Sequence, residues 1–194
     1  MVAVVVADKQ EFDFMKLFRT WLPLAVAVIA LSGLVYVSVQ QDLRMGANDP
    51  QIQIAEDGAT AIAAGTTSKA FVATFPTIDM GKSLAPFVIV VDDSGEVAYS
   101  SATLNGTTPV PPQGVLDYAK QYGENRLTWE PAPNVRIAAV VTRIDSEKHA
   151  GWVIAGRSLR EVEVREDQLM KQIETALIIT LIGTLIAAWV VQQG

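Results

Sequence analysis

The sequence predicts an α+β protein in which an antiparallel sheet of about five strands, with long flanking helices, lies between two transmembrane helices. Three observations lead to this fold class. Two uncharged apolar blocks lie near the ends of the 194-residue chain. Five short β-branched or alternating segments, separated by turn residues, occupy the middle. Segments with helical periodicity precede and follow those strands.

The apolar blocks predict membrane spans at residues 21–39 and 173–191. Trp21–Val39 is 19 residues without a charge, and at about 1.5 Å per residue it reaches about 28 Å, close to the hydrocarbon thickness of a bilayer. Ala176–Val191 is 16 uncharged residues, extended to 19 when Ile173 is the first buried position. The alternatives are a signal peptide for the first block and a buried core helix for the second. The lack of an A-x-A-like cleavage site and the absence of charge favour two spans.

Basic residues beside the first span predict its orientation. Lys16 and Arg19 precede the span, whereas Gln40, Gln41 and Asp42 follow it. Because loops on the cytoplasmic side carry more Lys and Arg, the N-terminus is expected in the cytoplasm. The predicted layout is a cytoplasmic segment at 1–20, an extracytoplasmic domain at 40–172, and a cytoplasmic tail at 192–194.

Charge and composition exclude several classes of function. The net charge is −6, and residues 40–171 contribute 17 acidic and 12 basic side chains. There is no run of Lys or Arg, so the sequence lacks the basic cluster with which proteins bind nucleic-acid phosphates. Without cysteine the chain has no disulfide, thiolate metal site or cysteine nucleophile. Nucleotide loops, zinc signatures and nucleophile elbows are also missing, so neither an enzyme nor a cofactor is predicted.

The segments between the spans predict the order helix, two strands, helix, three strands, helix. The helices are expected at 40–64, 114–122 and 157–174, and the strands at 87–91, 96–101, 126–130, 135–144 and 152–155. Asp49-Pro50 is expected to initiate the regular part of the first helix. Residues 92–95 (DDSG) predict the turn of a β-hairpin.

The first and last helices each carry a row of apolar residues at helical spacing, and each row is expected to pack against another part of a protein. The first helix carries Ile52, Ala55, Ala59 and Ile62 at 3-4-3 spacing, and the last continues a similar spacing through Leu159, Val162, Glu166, Leu169 and Ile173. The second stripe predicts a helical partner, in a homodimer or on the chain's own domain or first helix. Its one polar member, Glu166, requires an Arg or Lys, an intermolecular partner or a proton.

Three segments resemble a known family. GRSLREVE at 156–163, before the second span, and QDLRMGANDPQIQIAED at 41–57, after the first, resemble the two ends of the extracytoplasmic sensor region of two-span bacterial histidine kinases. The hairpin FVIVVDDSGEVAYSS at 87–101 resembles the central strands of a PAS-like, or Cache, sensor domain. The likeness covers residues 21–191. It implies a bacterial inner-membrane protein with a ligand pocket between the sheet and the segments that cover it.

The sequence also departs from that family. It contains no HAMP linker, phosphoacceptor helix or ATP-binding domain, and its one histidine, His149, lies in the domain predicted outside the cell. Kinase activity is therefore not expected of this chain, which is either a free-standing relative of the sensor region or a piece of a longer protein.

Candidate pocket residues lie on or beside the predicted strands: Tyr99, Trp129, Arg136 and Arg143. An arginine on a central strand would suit a carboxylate ligand. The plainer interpretation is a solvent-facing charge or a core aromatic residue.

Three polar motifs are expected to be structural. Asp92, Ser94 and Glu96 alternate oxygen ligands, but the other ligands of a calcium site are missing, so no metal site is predicted. His149 follows a polar stretch and is expected in a solvated loop. Residues 105–107 (NGT) match a glycosylation acceptor and are interpreted as a turn.

Two functions remain. One is a membrane-anchored extracytoplasmic sensor-like module that binds a small ligand or partner and signals through its transmembrane helices. The alternative is a non-catalytic accessory subunit of a larger membrane complex. The bilayer and another membrane protein are the expected partners, and Gly183 and Ala187 would permit close helix packing in both cases. A ligand-sized cavity would favour sensing, whereas a filled sheet with an exposed apolar patch would favour the subunit.

Overall fold

A computed structural model of the chain describes residues 14–146 and 149–193, which fall into two compact units. The helical unit lies within residues 1–39 and 168–194, and the α+β unit within residues 40–167. The predicted cytoplasmic segment 1–20 is described only from Phe14 onward, and Gly194 of the predicted tail lies outside the described residues.

The elements follow in the order α1 (Phe14–Ala63), α2 (Ser68–Val72), β1 (Ile78–Asp79), β2 (Phe87–Asp92), β3 (Val97–Ser100), β4 (Ala102–Thr103), α3 (Gln113–Tyr122), β5 (Glu124–Ala132), β6 (Val135–Ile144), β7 (Gly151–Ser158) and α4 (Arg160–Gln193). The predicted order of the longer helices and strands is confirmed. Helix α2 and the two-residue parallel pair β1–β4 were not predicted, because they are too short to show a hydrophobic period.

The sheet of the α+β unit has five antiparallel strands in the order β3-β2-β7-β6-β5. The first and last of these strands in the sequence, β2 and β7, pair in the middle, with Phe87 opposite Gly156 and Asp92 opposite Gly151. A Cβ at Gly156 would lie 2.4 Å from Cζ of Phe87, so glycine is required beside that ring. The predicted α+β class and antiparallel sheet are confirmed.

Both faces of this sheet are covered by apolar side chains. On one face, Val88, Val90, Val140 and Val153 pack with the stripe that α1 presents at Ala55, Ala59 and Ile62. On the other, Phe87, Ile89, Trp129, Ile137, Trp152 and Ile154 pack with Leu116 and Ala119 of α3. Coverage on both sides explains why Phe87–Val91 is a continuous apolar run and does not alternate.

Two predicted helix starts are wrong. Helix α4 begins at Arg160, because Arg157 and Ser158 still pair with Ala138 and Ile137 in the ladder between β6 and β7. Helix α1 does not begin anew at Asp49-Pro50 but runs through it. Proline has no N–H, so the helix lacks one backbone bond there, while the proline φ is compatible with helix. Strands β5 and β7 are also longer than predicted.

The helical unit contains two helices that are long and apolar enough to cross a membrane, judged by length and composition. In this unit Leu17 and Ala25 of α1 and Ala188 of α4 are buried. The indole Nε1 of Trp21 donates to Oγ1 of Thr184 at 3.0 Å and to the carbonyl of Leu181 at 3.3 Å. Most other large apolar side chains of the unit point outward and are exposed.

Candidate functional site

A cleft of about 250 Å³ opens in the α+β unit between α1, the sheet and α4. Helix α1 contributes Asp42, Leu43 and Gly46, the sheet contributes Ala138, Arg157 and Ser158, and α4 contributes Glu161, Val162 and Arg165. A second cleft of about 50 Å³ adjoins it, because Ala138 and Val162 line both. The second is also lined by Arg44 and Asn48 of α1. We call the two together the α1–α4 cleft.

Ion pairs join the elements around this cleft. Arg44 Nε of α1 lies 2.8 Å from Glu166 Oε1 of α4, so the stripe carboxylate has a partner within the chain. Of the three alternatives left open for Glu166, an Arg or Lys, an intermolecular partner or a proton, the structure shows the first, with Arg44 as the partner. Arg136 of β6 pairs with Glu163 of α4. These pairs tie the first turns of α4 to both α1 and the sheet.

Backbone acceptors hold Arg157, which lines the cleft, and the nearby Arg160. Arg157 Nε donates to the Leu84 carbonyl at 3.1 Å, and Arg160 donates to the Lys82 carbonyl at 2.9 Å. The Ser158 hydroxyl accepts from the Arg160 N–H at 3.3 Å, at the first residue of α4. The end of β7 and the start of α4 are thereby fixed to the segment before β2.

Gln51 is a buried polar residue of α1, three positions after Asn48 of the smaller cleft. Its side chain is 0% exposed, and neither its amide nitrogen nor its amide oxygen has a hydrogen-bond partner among the described residues. An unsatisfied buried polar group costs about 1–3 kcal/mol. Toward the C-terminus of α1 from Gln51, Ala55 and Ala59 are packed on the sheet; toward the N-terminus, Asn48 lines the cleft. Along α1, Gln51 thus lies between the residues that pack on the sheet and the residue that lines the cleft.

The four candidate pocket residues do not meet in one cavity. Trp129 is 7% exposed and belongs to the core on the α3 side of the sheet, whereas Tyr99, opposite Val90 on edge strand β3, is 44% exposed on the α1 side. Arg136 lies on the α1 side and is the only one of the four that reaches the α1–α4 cleft. Arg143 lies seven residues further along β6, at the other end of that strand.

Arg143 organises a separate charged cluster. Its guanidinium lies 4.5 Å from the ring centroid of Trp152, donates to Asp93 Oδ1 at 2.7 Å, and donates to the Gly151 carbonyl at 3.3 Å. Lys120 of α3 is 3.7 Å from the same Asp93 oxygen. The hydrogen bond from Arg143 lowers the pKa of Asp93. The cluster pins the β2–β3 turn to the end of the sheet and leaves Arg143 engaged.

The predicted turn chemistry accounts for the oxygen-rich motif. Asp92 Oδ1 accepts from the Ser94 hydroxyl at 2.5 Å, the Ser94 N–H at 2.9 Å and the Glu96 N–H at 3.1 Å. The Ser94 hydroxyl is the main reason that the pKa of Asp92 lies below its ordinary value. Asp92 therefore serves as the acceptor that closes the hairpin turn.

The remaining polar motifs lie on the surface. His149 is exposed between β6 and β7, and Asn105 has a positive φ of 53° in a turn with Gly106. Among the described residues there is no group of three or more His, Asp or Glu side chains that could hold a metal ion.

Sequence reasoning missed the α1–α4 cleft and Gln51. The α1 residues of the cleft, 42–48, lie at least 80 positions before its other residues, 128–166, and no local pattern relates the two segments. A signal for Gln51 was present, since it lies four positions before Ala55 and eleven before Ile62, on the face of α1 that the apolar spacing marks as buried.

No family model, no curated protein and no solved structure matches this chain. Its function therefore has to be inferred from the cleft, the two long helices and the charges around them.

Proposed function

We propose that this chain is a membrane-anchored sensor-like module of a bacterial inner membrane. Its α+β unit is a PAS-like domain outside the cytoplasm, between two transmembrane helices, and it binds a small ligand or partner. The observation that carries the proposal is helix continuity. Helix α1 is unbroken from Phe14 to Ala63 and contains both the apolar segment and one wall of the α1–α4 cleft. Helix α4 likewise contains the opposite wall and the second apolar segment.

The sheet supports the PAS-like assignment. It is five-stranded and antiparallel, α1 covers one face, and α3 covers the other. The hairpin that resembles the central strands of such sensors forms β2 and β3, and β2 lies inside the sheet. The site of binding in this proposal is the α1–α4 cleft, since the α3 side is filled by core residues that include Trp129 and Trp152.

Transmission through the helices follows from the position of the cleft. A ligand there would contact α1 and α4 at once and compete with or reinforce the bond between Arg44 and Glu166. Because a helix is continuously hydrogen-bonded along its axis, displacement of one wall is passed to the rest of that helix. The module itself needs no catalytic group, and the proposal includes neither enzyme activity nor a cofactor.

A non-catalytic accessory subunit of a larger membrane complex is the second candidate. The observations that favour it are the filled core between α3 and the sheet and an exposed aromatic pair on α3. Tyr118 and Tyr122 have ring centroids 4.5 Å apart and are 48% and 62% exposed, which offers a contact to another protein.

A chimera separates the two candidates. Residues 1–193 would be joined to the HAMP linker and kinase core of a two-span sensor kinase, and autophosphorylation would be measured in membranes. Arg44→Gln, which breaks the bond to Glu166, should change kinase output at least several-fold relative to the parent chimera. Lys69→Gln, on the exposed face of α2, is the control and should leave it unchanged. Equal output from parent and Arg44→Gln would reject signalling through the helices and favour the accessory subunit.

A further inference from the structure

We propose that Gln51 is the recognition group of the α1–α4 cleft, and that the cleft binds a small ligand of zero net charge that bears a carboxamide. This inference rests on the proposed binding function and names the chemistry of its ligand. It starts from the buried amide of Gln51, both of whose polar atoms lack a hydrogen-bond partner among the described residues. Native proteins leave few buried polar groups in that state, so each one calls for an explanation.

The direction of the side chain connects Gln51 to the cleft. Side chains on an α-helix lean toward the N-terminus and cover the turn that precedes their own Cα. For Gln51 that turn includes Asn48, which lines the smaller cleft together with Ala138. Gln51 itself lines neither cleft and is fully buried, so in this proposal its side chain turns toward Asn48 to reach the cleft wall. The alanine at 138 leaves room there that a larger side chain would fill.

The charges of the lining select a ligand without net charge. Four arginines and four acidic residues line the two clefts. Two of the arginines are already paired with two of the acids, Arg44 with Glu166 and Arg136 with Glu163. The acids that remain, Asp42 and Glu161, balance the two other arginines. A charged ligand would therefore face as many lining charges of its own sign as of the opposite sign, and the lining would give it no net attraction.

The amide of Gln51 selects the functional group. It offers an N–H donor and a carbonyl acceptor side by side, and both are unused in the part of the chain that the structure describes. A carboxamide presents the same two groups in complementary order, so two hydrogen bonds can form at once. The two clefts that form the site have volumes of about 250 Å³ and about 50 Å³, and the smaller is the one that Asn48 lines. The ligand is correspondingly small.

Tethering tests the proposal without knowledge of the natural ligand. The chain has no native cysteine, so Asn48→Cys in the full chain provides a single thiol beside Gln51. Reaction with iodoacetamide attaches a carboxamide, iodoacetate a carboxylate of the same size, and methyl methanethiosulfonate an apolar group. Iodoacetamide and iodoacetate alkylate the thiolate with loss of iodide; the thiosulfonate transfers a methylthio group to the thiolate and releases methanesulfinate. Tethering makes the encounter intramolecular and removes the need for high affinity.

The thermal unfolding midpoint in detergent is the readout. The carboxamide adduct should unfold several degrees above the carboxylate and methylthio adducts. Gln51→Leu in the same background should raise the midpoint of the unlabelled protein and abolish the advantage of the carboxamide. Val162→Cys, on the α4 wall of both clefts, repeats the test if Asn48→Cys does not fold.

Equal midpoints for the three adducts with Gln51 present would overturn the proposal, as would a carboxamide advantage that survives Gln51→Leu. Either result concerns the cleft chemistry alone, because the chimera measures signalling with no added ligand. Failure of the proposed function would instead appear as an Arg44→Gln chimera with unchanged output.

Discussion

Two glycines of α1 have opposite surroundings, and this difference shows how closely its C-terminal part is packed. A Cβ at Gly58 would lie 2.5 Å from the Phe71 ring and 3.1 Å from Val153 Cγ1. A Cβ at Gly46 would meet nothing within 4 Å. The helix is therefore closely packed on α2 and the sheet at Gly58, and it is open at the cleft. A larger residue at Gly58 requires the Phe71 ring to move, whereas one at Gly46 displaces no neighbour.

Substitution of these glycines by alanine is expected to change stability in opposite directions. Gly58→Ala should destabilise the protein by about 1–3 kcal/mol because the added methyl overpacks a filled contact. Gly46→Ala should stabilise it by about 0.5–1 kcal/mol because alanine loses less backbone entropy in a helix. Chemical denaturation of the full chain in detergent measures both. A destabilised Gly46→Ala with an unaffected Gly58→Ala would contradict the packing described.

Asp93 predicts a specific dependence of stability on pH. Arg143 lowers its folded-state pKa below the ordinary value of 3.8. A lowered carboxyl pKa contributes stability that is present above the unfolded-state value and is lost as the pH falls through the folded-state value. Below about pH 4, the unfolding midpoint of Asp93→Asn should therefore fall less steeply than that of the wild type. Asp57→Asn, an exposed acid of α1 outside the Arg143 cluster, is the control and should follow the wild type.

Among the elements, the pairing of α4 with its neighbours shows what the sequence could and could not predict. The apolar stripe of α1 and the β2–β3 hairpin were predicted because both arise from local spacing. The stripe of α4 was predicted with its partner left open among a second copy, its own domain and the first helix. The contact with the first helix is seen only in the structure, since Arg44 and Glu166 are 122 positions apart. The start of α4 was misplaced because the pairing of Arg157 and Ser158 in β7 depends on β6, and a short apolar pattern is compatible with strand or helix.

The same distance in sequence limited the prediction of the site. Tyr99, Trp129, Arg136 and Arg143 were chosen because they lie on or beside strands, but side chains of a strand alternate between faces. Only the complete register of the sheet assigns Trp129 to the core and Arg136 to the cleft. Gln51 could have been found, because a polar residue on a buried helix face is visible in the sequence alone.

Removal of Arg44 and removal of Glu166 are expected to change the free energy of unfolding by different amounts, although the two residues share one ion pair. The Glu166 side chain is 14% exposed and that of Arg44 is 59% exposed. Removal of Arg44 leaves a mostly buried carboxylate without that partner, whereas removal of the carboxylate leaves an arginine in contact with water. Arg44→Gln should therefore cost about 1–3 kcal/mol, and Glu166→Leu less than about 1 kcal/mol. Unfolding of the two single variants and the double variant measures the coupling. Equal costs would contradict the burial assigned to Glu166.

The whole molecule combines two long apolar helices with an α+β unit in one chain. Two apolar helices have the length and composition of membrane spans, and their outward side chains are exposed where lipid would cover them. The α+β unit carries its own core on both faces of the sheet. Of these features the apolar segments and the α+β class were predictable from composition and period. The side of the membrane on which the unit lies is a proposal that rests on Lys16 and Arg19.

Cysteine accessibility tests this layout most directly. Single cysteines replace Lys69 and Gln121, which are exposed on α2 and α3. In two further variants they replace Phe14, the first residue of α1, and Gln193, the last residue of α4. A membrane-impermeant maleimide is added to intact bacterial spheroplasts, and the unsubstituted protein, which has no cysteine, gives the background. The layout predicts labelling at 69 and 121 in intact spheroplasts, and at 14 and 193 only after lysis. Labelling of 14 and 193 in intact spheroplasts, with 69 and 121 protected until lysis, would contradict it.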